Sequence, residues 1–271
     1  MNKRYFILKN LTLLGFLALV SCFAVEPRIP GIIAHRGVVL EAPENTLPAI
    51  QKAIDLGCAM AEIDLRYTSD GEVILLHDAN LERTTNGSGP ASKYTLAQIQ
   101  RLDAGASFGT AFAGTKVPTF REAIDLARGK IELYLDLKEF DPTPVARVVQ
   151  QTGAQSMVVF RPYTFLALKQ ITTTDPGFRV LVDLGDWVQA PGLMPMLKRE
   201  FPTGSLSSDW RNWNQKMFKE ARKVKLATFV NILGEDDTDE NLTRAIEMGF
   251  DYIQTDRQQR LRELIRLRGQ K

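Results

Sequence analysis

Residues 31–66 read GIIAHRGVVLEAPENTLPAIQKAIDLGCAMAEIDLR, and this stretch decides the architecture. The apolar run Ile32-Ile33-Ala34 ends in His35-Arg36-Gly37, an amphipathic stretch occupies 46–57, and a second apolar-rich run fills 60–66. Short apolar runs bounded by turn residues suit buried strands, whereas the segment between them has the spacing of a helix. Strand, helix, strand is the repeating unit of a parallel sheet. The same rhythm runs to the end of the chain. Strands are expected at 31–35, 60–66, 131–138, 156–161, 178–183, 204–208, 225–231 and 251–255, and helical patterns lie at 46–57, 119–128, 163–172, 191–200, 214–223 and 239–248. Eight strands with no break in composition predict an α/β fold, a single (β/α)8 barrel over 28–271. A doubly wound sheet is the alternative.

One segment interrupts the alternation. Residues 79–118 are turn-rich, with one helical piece near 95–103, and form an insertion after the second strand. Connections this long inside a compact domain are usually functional, although a tolerated surface loop has the same appearance. Phe108 and Phe112 could wall a pocket there or anchor the insertion.

The second strand carries the first chemical signal. Successive side chains alternate faces, so Glu62 and Asp64 in Ala61-Glu62-Ile63-Asp64-Leu65-Arg66 share one face, with Cα atoms about 6.6 Å apart. Two carboxylates that close repel unless a cation lies between them or one is protonated. Hard divalent ions take oxygen ligands, so the pair suits one ion; alone, it also fits a solvated sheet face. In Leu133-Tyr134-Leu135-Asp136-Leu137-Lys138 the leucines mark the outer face and Tyr134, Asp136 and Lys138 the inner one. Inside a barrel an unpaired charge is costly, and Glu62, Asp64 and an ion would give Asp136 its partner. Lys138 could reach a phosphate oxygen as a point charge, or salt-bridge a carboxylate directly.

The chain has two histidines, and each follows an apolar run: His35 after Ile32-Ile33-Ala34, and His77 after Val73-Ile74-Leu75-Leu76. Imidazole gives and takes protons near neutral pH, although either ring could also be a polar strand cap. Arg161, Asp183, Asp209, Asn231 and Thr255-Asp256 end other strands, where barrel enzymes build their active face. Asp183 and Asp209 are expected to cap the helices that follow.

Composition excludes some partners and points to export. The chain is 44% hydrophobic and 24% charged, as soluble domains are. Lys3, Arg4 and Lys9 precede the apolar run Leu11 to Val20, a signal peptide over 1–21. Leu19-Val20-Ser21-Cys22 resembles a lipoprotein cleavage box, which would leave Cys22 as a lipidated N-terminus; cleavage after Ala24 is the rival. Without the leader, 31 basic residues face 32 acidic ones, a net of −1 that calls for no nucleic acid. The expected location is exported, periplasmic or on the outer surface, with the membrane reached through the anchor at Cys22. Cys58 is then the remaining thiol, expected buried and inert, and the scarcity of His and Cys argues against a zinc site.

The ordered set His35-Arg36-Gly37, Pro43-Glu44-Asn45-Thr46, Glu62-Ile63-Asp64, Asp70-Gly71, His77-Asp78, Arg83-Thr84-Thr85-Asn86-Gly87, Val117-Pro118-Thr119-Phe120, Glu122, Asp136-Leu137-Lys138 and Thr255-Asp256 resembles the glycerophosphodiester phosphodiesterase family. The resemblance covers essentially the whole mature chain. It implies a (β/α)8 barrel with an insertion after the second strand, hydrolysing glycerophosphodiesters to glycerol 3-phosphate and an alcohol. It further implies that His35 and His77 are the acid–base pair, assigned here as base and acid. Arg36 and Lys138 would bind the phosphate; Glu62, Asp64 and Asp136 would hold a divalent cation, calcium or magnesium. Glu44 would orient His35 or Arg36, with Asn45 or Thr46 capping the next helix. The family's third ligand is usually a glutamate in Glu-x-Lys, so Asp136 is a departure, shorter by one methylene; Phe229 replaces a family tryptophan, which would alter the pocket wall. The alternatives are a phospholipase C- or D-like activity on intact lipids, and a binding protein on a degenerate barrel.

Overall fold

The computed structural model describes residues 28–185 and 190–269. The leader and Cys22 lie outside the described residues. Among these, eight parallel strands form one sheet: β1 Gly31–Ala34, β2 Met60–Tyr67, β4 Glu132–Leu137, β5 Val158–Arg161, β6 Leu181–Asp183, β7 Ser205–Ser207, β8 Ala227–Asn231 and β9 Tyr252–Thr255. Their order is β5-β4-β2-β1-β9-β8-β7-β6, and a parallel bridge from Phe160 to Val180 joins the two ends into a barrel. A further strand, β3 Val73–Leu75, pairs antiparallel with the end of β2 and lies outside the ring. The run before His77 is therefore a hairpin arm rather than a barrel stave. The doubly wound alternative is excluded by the β1–β9 pairing, which puts the first strand beside the last.

Helices α1 Leu47–Asp55, α3 Phe120–Ala127, α4 Thr143–Thr152, α5 Phe165–Thr174, α6 Leu193–Glu200, α7 Gln215–Lys223, α8 Asp239–Met248 and α9 Gln258–Arg268 alternate with the strands, and the short α2 Leu96–Ile99 sits in the insertion. Threonine and asparagine side chains start many of them. Thr46 accepts from the Ala49 N–H at the head of α1, and Thr119 forms a capping box with Glu122 on α3. Asp209 caps the 3-10 turn Trp210–Asn212 rather than a full helix.

Two cores separate along the strand alternation. Ala61, Ile63, Leu65, Leu133, Leu135 and Leu137 face outward into the large cluster between sheet and helices. Ile33, Met60, Tyr134, Val159, Leu181 and Phe229 fill the barrel's interior as an apolar plug. Phe229 stacks on Tyr252 at 4.5 Å and meets Tyr134 edge-on at 6.1 Å, so it belongs to this plug and not to a pocket wall, contrary to the expectation from sequence. The insertion closes over its own small core of Ile74, Leu76, Leu81, Ala91, Ile99, Ala104 and Val117. Phe108 and Phe112 pack on each other edge-to-face at 5.3 Å. Cys58 is buried, and burial pushes its thiol up to about 11, as expected for an inert thiol. No helix among the described residues is long and apolar enough to cross a membrane.

Candidate active site

Above the apolar plug, the barrel's C-terminal mouth holds a cavity of about 210 Å³ lined by His35, Arg36, Glu62, Asp64, His77, Tyr134, Asp136, Lys138, Arg161, Asn231, Leu233 and Gln254. Both histidines, the three carboxylates, Arg36 and Lys138 thus meet in one place. Register explains the meeting. Glu62 pairs with Tyr134 and Asp64 with Asp136 across β2 and β4, so the inward side chains form level rows.

Glu62, Asp64 and Asp136 are all buried and present ligand oxygens within 4.8 Å of one another. Burial pushes the Glu62 carboxyl well above the carboxylate range, and the negative charges of Asp64 and Asp136 push it further. Three buried acids in such contact make an all-oxygen donor set that fits a hard divalent cation. Lys138 Nζ lies 3.0 Å from Asp64 Oδ1 and 2.8 Å from Asp136 Oδ2. Burial works against this ammonium, but the two aspartates outweigh it and hold its pKa above the ordinary lysine value. Lys138 therefore makes the direct salt bridge to both aspartates.

The backbone around Arg36 is unusual and tightly fitted. Arg36 and Asn45 have φ of 52° and 54°, a region other than glycine seldom occupies. The Arg36 N–H donates to Glu62 Oε2 at 2.7 Å, and the Asn45 N–H returns to the Arg36 carbonyl at 3.0 Å. Asn45 brackets Asp64: its Nδ2 donates to Oδ2 at 2.6 Å, and its Oδ1 accepts from the Asp64 N–H at 2.9 Å. Asn45 is thus a positioning residue, and Thr46 is the helix cap. Gly37 follows with φ of 81°; a Cβ there would lie 2.6 Å from the Ala49 carbonyl carbon of α1. Only glycine lets α1 pack this closely.

Each imidazole is held through Nδ1 by a carboxylate. His35 Nδ1 lies 2.8 Å from Asp256 Oδ1, and the Asp256 N–H donates to Asp237 Oδ2 at 2.8 Å. Burial raises the pKa of Asp237, whose carboxylate also receives the Thr255 hydroxyl. His77 Nδ1 lies 2.6 Å from Asp78 Oδ1, and Arg83 clamps that aspartate from Nε at 2.6 Å. The Arg83 hydrogen bond holds the Asp78 carboxyl well below the usual range. Arg83 also grips Glu44 at 2.7 Å, and Glu44 accepts from Arg36 Nη1 at 3.0 Å. Glu44 orients Arg36, then, and not His35. Arg66, at the end of β2, donates from Nε to the His77 carbonyl at 2.9 Å and pairs with Glu139.

Asp256, Asp78, Asn45, Arg66 and Arg161 complete the site, although from sequence none of them is expected in the role it has here, Asn45 being expected only as a helix cap. Asp256 and Arg161 stood out as polar strand ends and Asp78 as the neighbour of His77, but the partners of Asp256 and Arg161 lie elsewhere in the chain.

The chain matches the model of the glycerophosphoryl diester phosphodiesterase family over residues 35–259. It is 28% identical over 249 residues to a glycerophosphodiester phosphodiesterase of Caldanaerobacter subterraneus subsp. tengcongensis, covering 88% of this chain and 98% of that protein. The crystal structure of glycerophosphodiester phosphodiesterase from Agrobacterium tumefaciens superposes with a TM-score of 0.75 at 27% identity, over 86% of this chain and 99% of the other. An Oleispira antarctica phosphodiesterase, solved with sn-glycerol-3-phosphate as product, has a TM-score of 0.74 at 23% identity over 88% and 97%.

Proposed function

This chain belongs to the glycerophosphoryl diester phosphodiesterase family, and from that premise we propose that it hydrolyses glycerophosphodiesters to sn-glycerol 3-phosphate and an alcohol. The observation that carries the reading is the gathering of two imidazoles, two phosphate-seeking cations and three buried acids around one cavity. In this reading Arg36 and Lys138 seat the phosphodiester. Glu62, Asp64 and Asp136 hold calcium or magnesium, which when bound supplies charge neutralisation at the phosphoryl oxygens. Because carboxylates occupy both Nδ1 atoms, Nε2 is the nitrogen through which each ring exchanges protons with the ester. His35 takes the proton of the attacking hydroxyl, from water or from the substrate itself through a cyclic phosphate. His77, the more exposed ring at 32% against 17%, gives a proton to the departing alcohol at the solvent side.

A panel of glycerophosphodiesters and diacyl phospholipids, assayed with chelator and metal add-back, tests this reading. Turnover should be confined to the deacylated esters, vanish with chelator, and fall about 10²–10⁴-fold in His77→Ala with the melting temperature little changed. Near wild-type turnover by His77→Ala sinks the two-histidine mechanism, and cleavage of diacyl lipids instead favours the phospholipase-like alternative. Hydrolysis of nothing on the panel favours the binding protein.

The proposal includes export, with 1–21 removed, Cys22 lipidated and 28–271 as the catalytic domain. Fatty-acid labelling of the expressed protein should disappear in Cys22→Ser; label retained by that variant refutes the anchor.

A further inference from the structure

We propose that Arg161 is a resident counter-charge of the carboxylate triad that competes with a divalent cation for Asp136 and so sets how tightly this chain holds its metal; the inference rests on the metal-dependent reading above. Arg161 ends β5 and stands opposite Asp136 in the β4–β5 register, so both side chains enter the barrel at one level. Its Nη1 lies 3.3 Å from Asp136 Oδ1 and its Nη2 2.9 Å from Asp183 Oδ2. Its Nε is buried with no hydrogen-bond partner.

Asp136 is claimed by three groups, as is Asp64, which Lys138 and Arg36 approach at 3.0 and 3.4 Å and Asn45 hydrogen-bonds. Lys138 and the Tyr163 hydroxyl take Oδ2 at 2.8 and 2.9 Å, and Arg161 faces Oδ1. The Tyr163 ring covers both cations, with Lys138 Nζ 5.3 Å and Arg161 Cζ 5.1 Å from its centroid. The side chain at 136 is also short: an aspartate keeps its carboxylate close to its own strand, within reach of a guanidinium on the next. Three cations, Arg36, Lys138 and Arg161, line the cavity against three acids, so the site is balanced in charge before any ion enters. Lys138, on a flexible stem, can turn toward a phosphate, but the Arg161 guanidinium stays charged between its two aspartates. An incoming cation bound to Asp136 must therefore share its ligand with a fixed positive charge a few ångströms away. Asp183, half exposed, pulls that charge the other way.

Removing either member of the pair shifts metal affinity in opposite directions, which a merely structural role would not do. Calcium and magnesium are titrated calorimetrically into the chelator-stripped full-length protein and its variants, without substrate. Arg161→Gln should bind at least about tenfold more tightly than wild type, equivalent to about 1.4 kcal/mol. Arg161→Lys, which keeps the charge, should stay near wild type. Asp183→Asn, which frees Arg161 to lean fully on Asp136, should bind several-fold more weakly. Melting curves in chelator confirm that each variant is folded, and Asp183→Asn carries the test should Arg161→Gln fail to fold. Unchanged or weaker binding by Arg161→Gln, or tighter binding by Asp183→Asn, overturns the inference. Binding gained by Arg161→Gln where wild type shows none supports it, and binding by neither overturns it. An active, metal-dependent wild type whose affinity ignores Arg161 leaves the hydrolase reading standing.

Discussion

Glu62→Gln should stabilise the metal-free protein and destabilise the metal-loaded one. Glu62 is 2% exposed, and its carboxylate lies within 4.8 Å of those of Asp64 and Asp136. At that distance and an effective dielectric of about 20, one carboxylate pair repels by roughly 3.5 kcal/mol, of which the nearby Lys138 ammonium offsets a large part. A net gain of about 1–3 kcal/mol is expected from neutralising Glu62 at neutral pH. For a domain of this size that is a rise in melting temperature of roughly 2–10 °C. The glutamine oxygen can still accept the Arg36 N–H, so the loop geometry survives. The pH dependence has a definite sign. The folded-state pKa of Glu62 lies above its ordinary value of 4.5, so its contribution to stability is complete below that value and is lost as pH climbs through the folded pKa. Compared in chelator at an acidic and at a neutral pH, wild type should therefore lose stability relative to Glu62→Gln at the higher pH. Excess divalent cation reverses the order, because a ligand at 100 times its Kd adds about 2.7 kcal/mol to wild type and little to a variant lacking one carboxylate. Differential scanning fluorimetry at both pH values, with chelator and with metal, measures all four arms. A Glu62→Gln protein that melts below wild type in chelator at neutral pH would falsify the account of Glu62 as a buried acid held against two acidic neighbours.

Two further outcomes concern the residues that position the site. Asp256→Asn replaces an acceptor at His35 Nδ1 with an amide able to donate, favouring the wrong tautomer; kcat should fall by about 10²–10⁴-fold with KM nearly unchanged, and equal losses in both parameters argue against a tautomer role. Asn45→Ala forfeits both hydrogen bonds to buried Asp64 and places alanine at φ of 54°, so urea unfolding should show a loss of about 2–4 kcal/mol. Asn45→Gly, which relieves the backbone strain but not the lost bonds, should lose less; equal stability of both variants with wild type refutes the bracket.

Much of this molecule was legible from local pattern. Hydrophobic alternation placed all eight barrel strands, because burial on both faces of a parallel sheet imposes the same short apolar runs wherever they fall. The period of two along β2 and β4 put Glu62, Asp64 and Asp136 on inward faces, and β2–β4 pairing brought Asp64 level with Asp136, one inward row beyond Glu62. The same pattern could not distinguish a stave from a hairpin arm at Val73–Leu75, since a three-residue strand looks alike in either place.

The amino-acid order by itself determined which chemistry the chain can offer: two imidazoles, an acidic strand pair, and cations at strand ends. Tertiary structure alone decided which partner each group keeps. His35 is held by a carboxylate 221 residues away, Asp64 by the asparagine just before the cap of the first helix, and Asp136 by an arginine on the neighbouring strand. Periodicity records which face a side chain occupies, whereas barrel closure and strand register decide what stands across from it, and those are set by the packing of the whole ring.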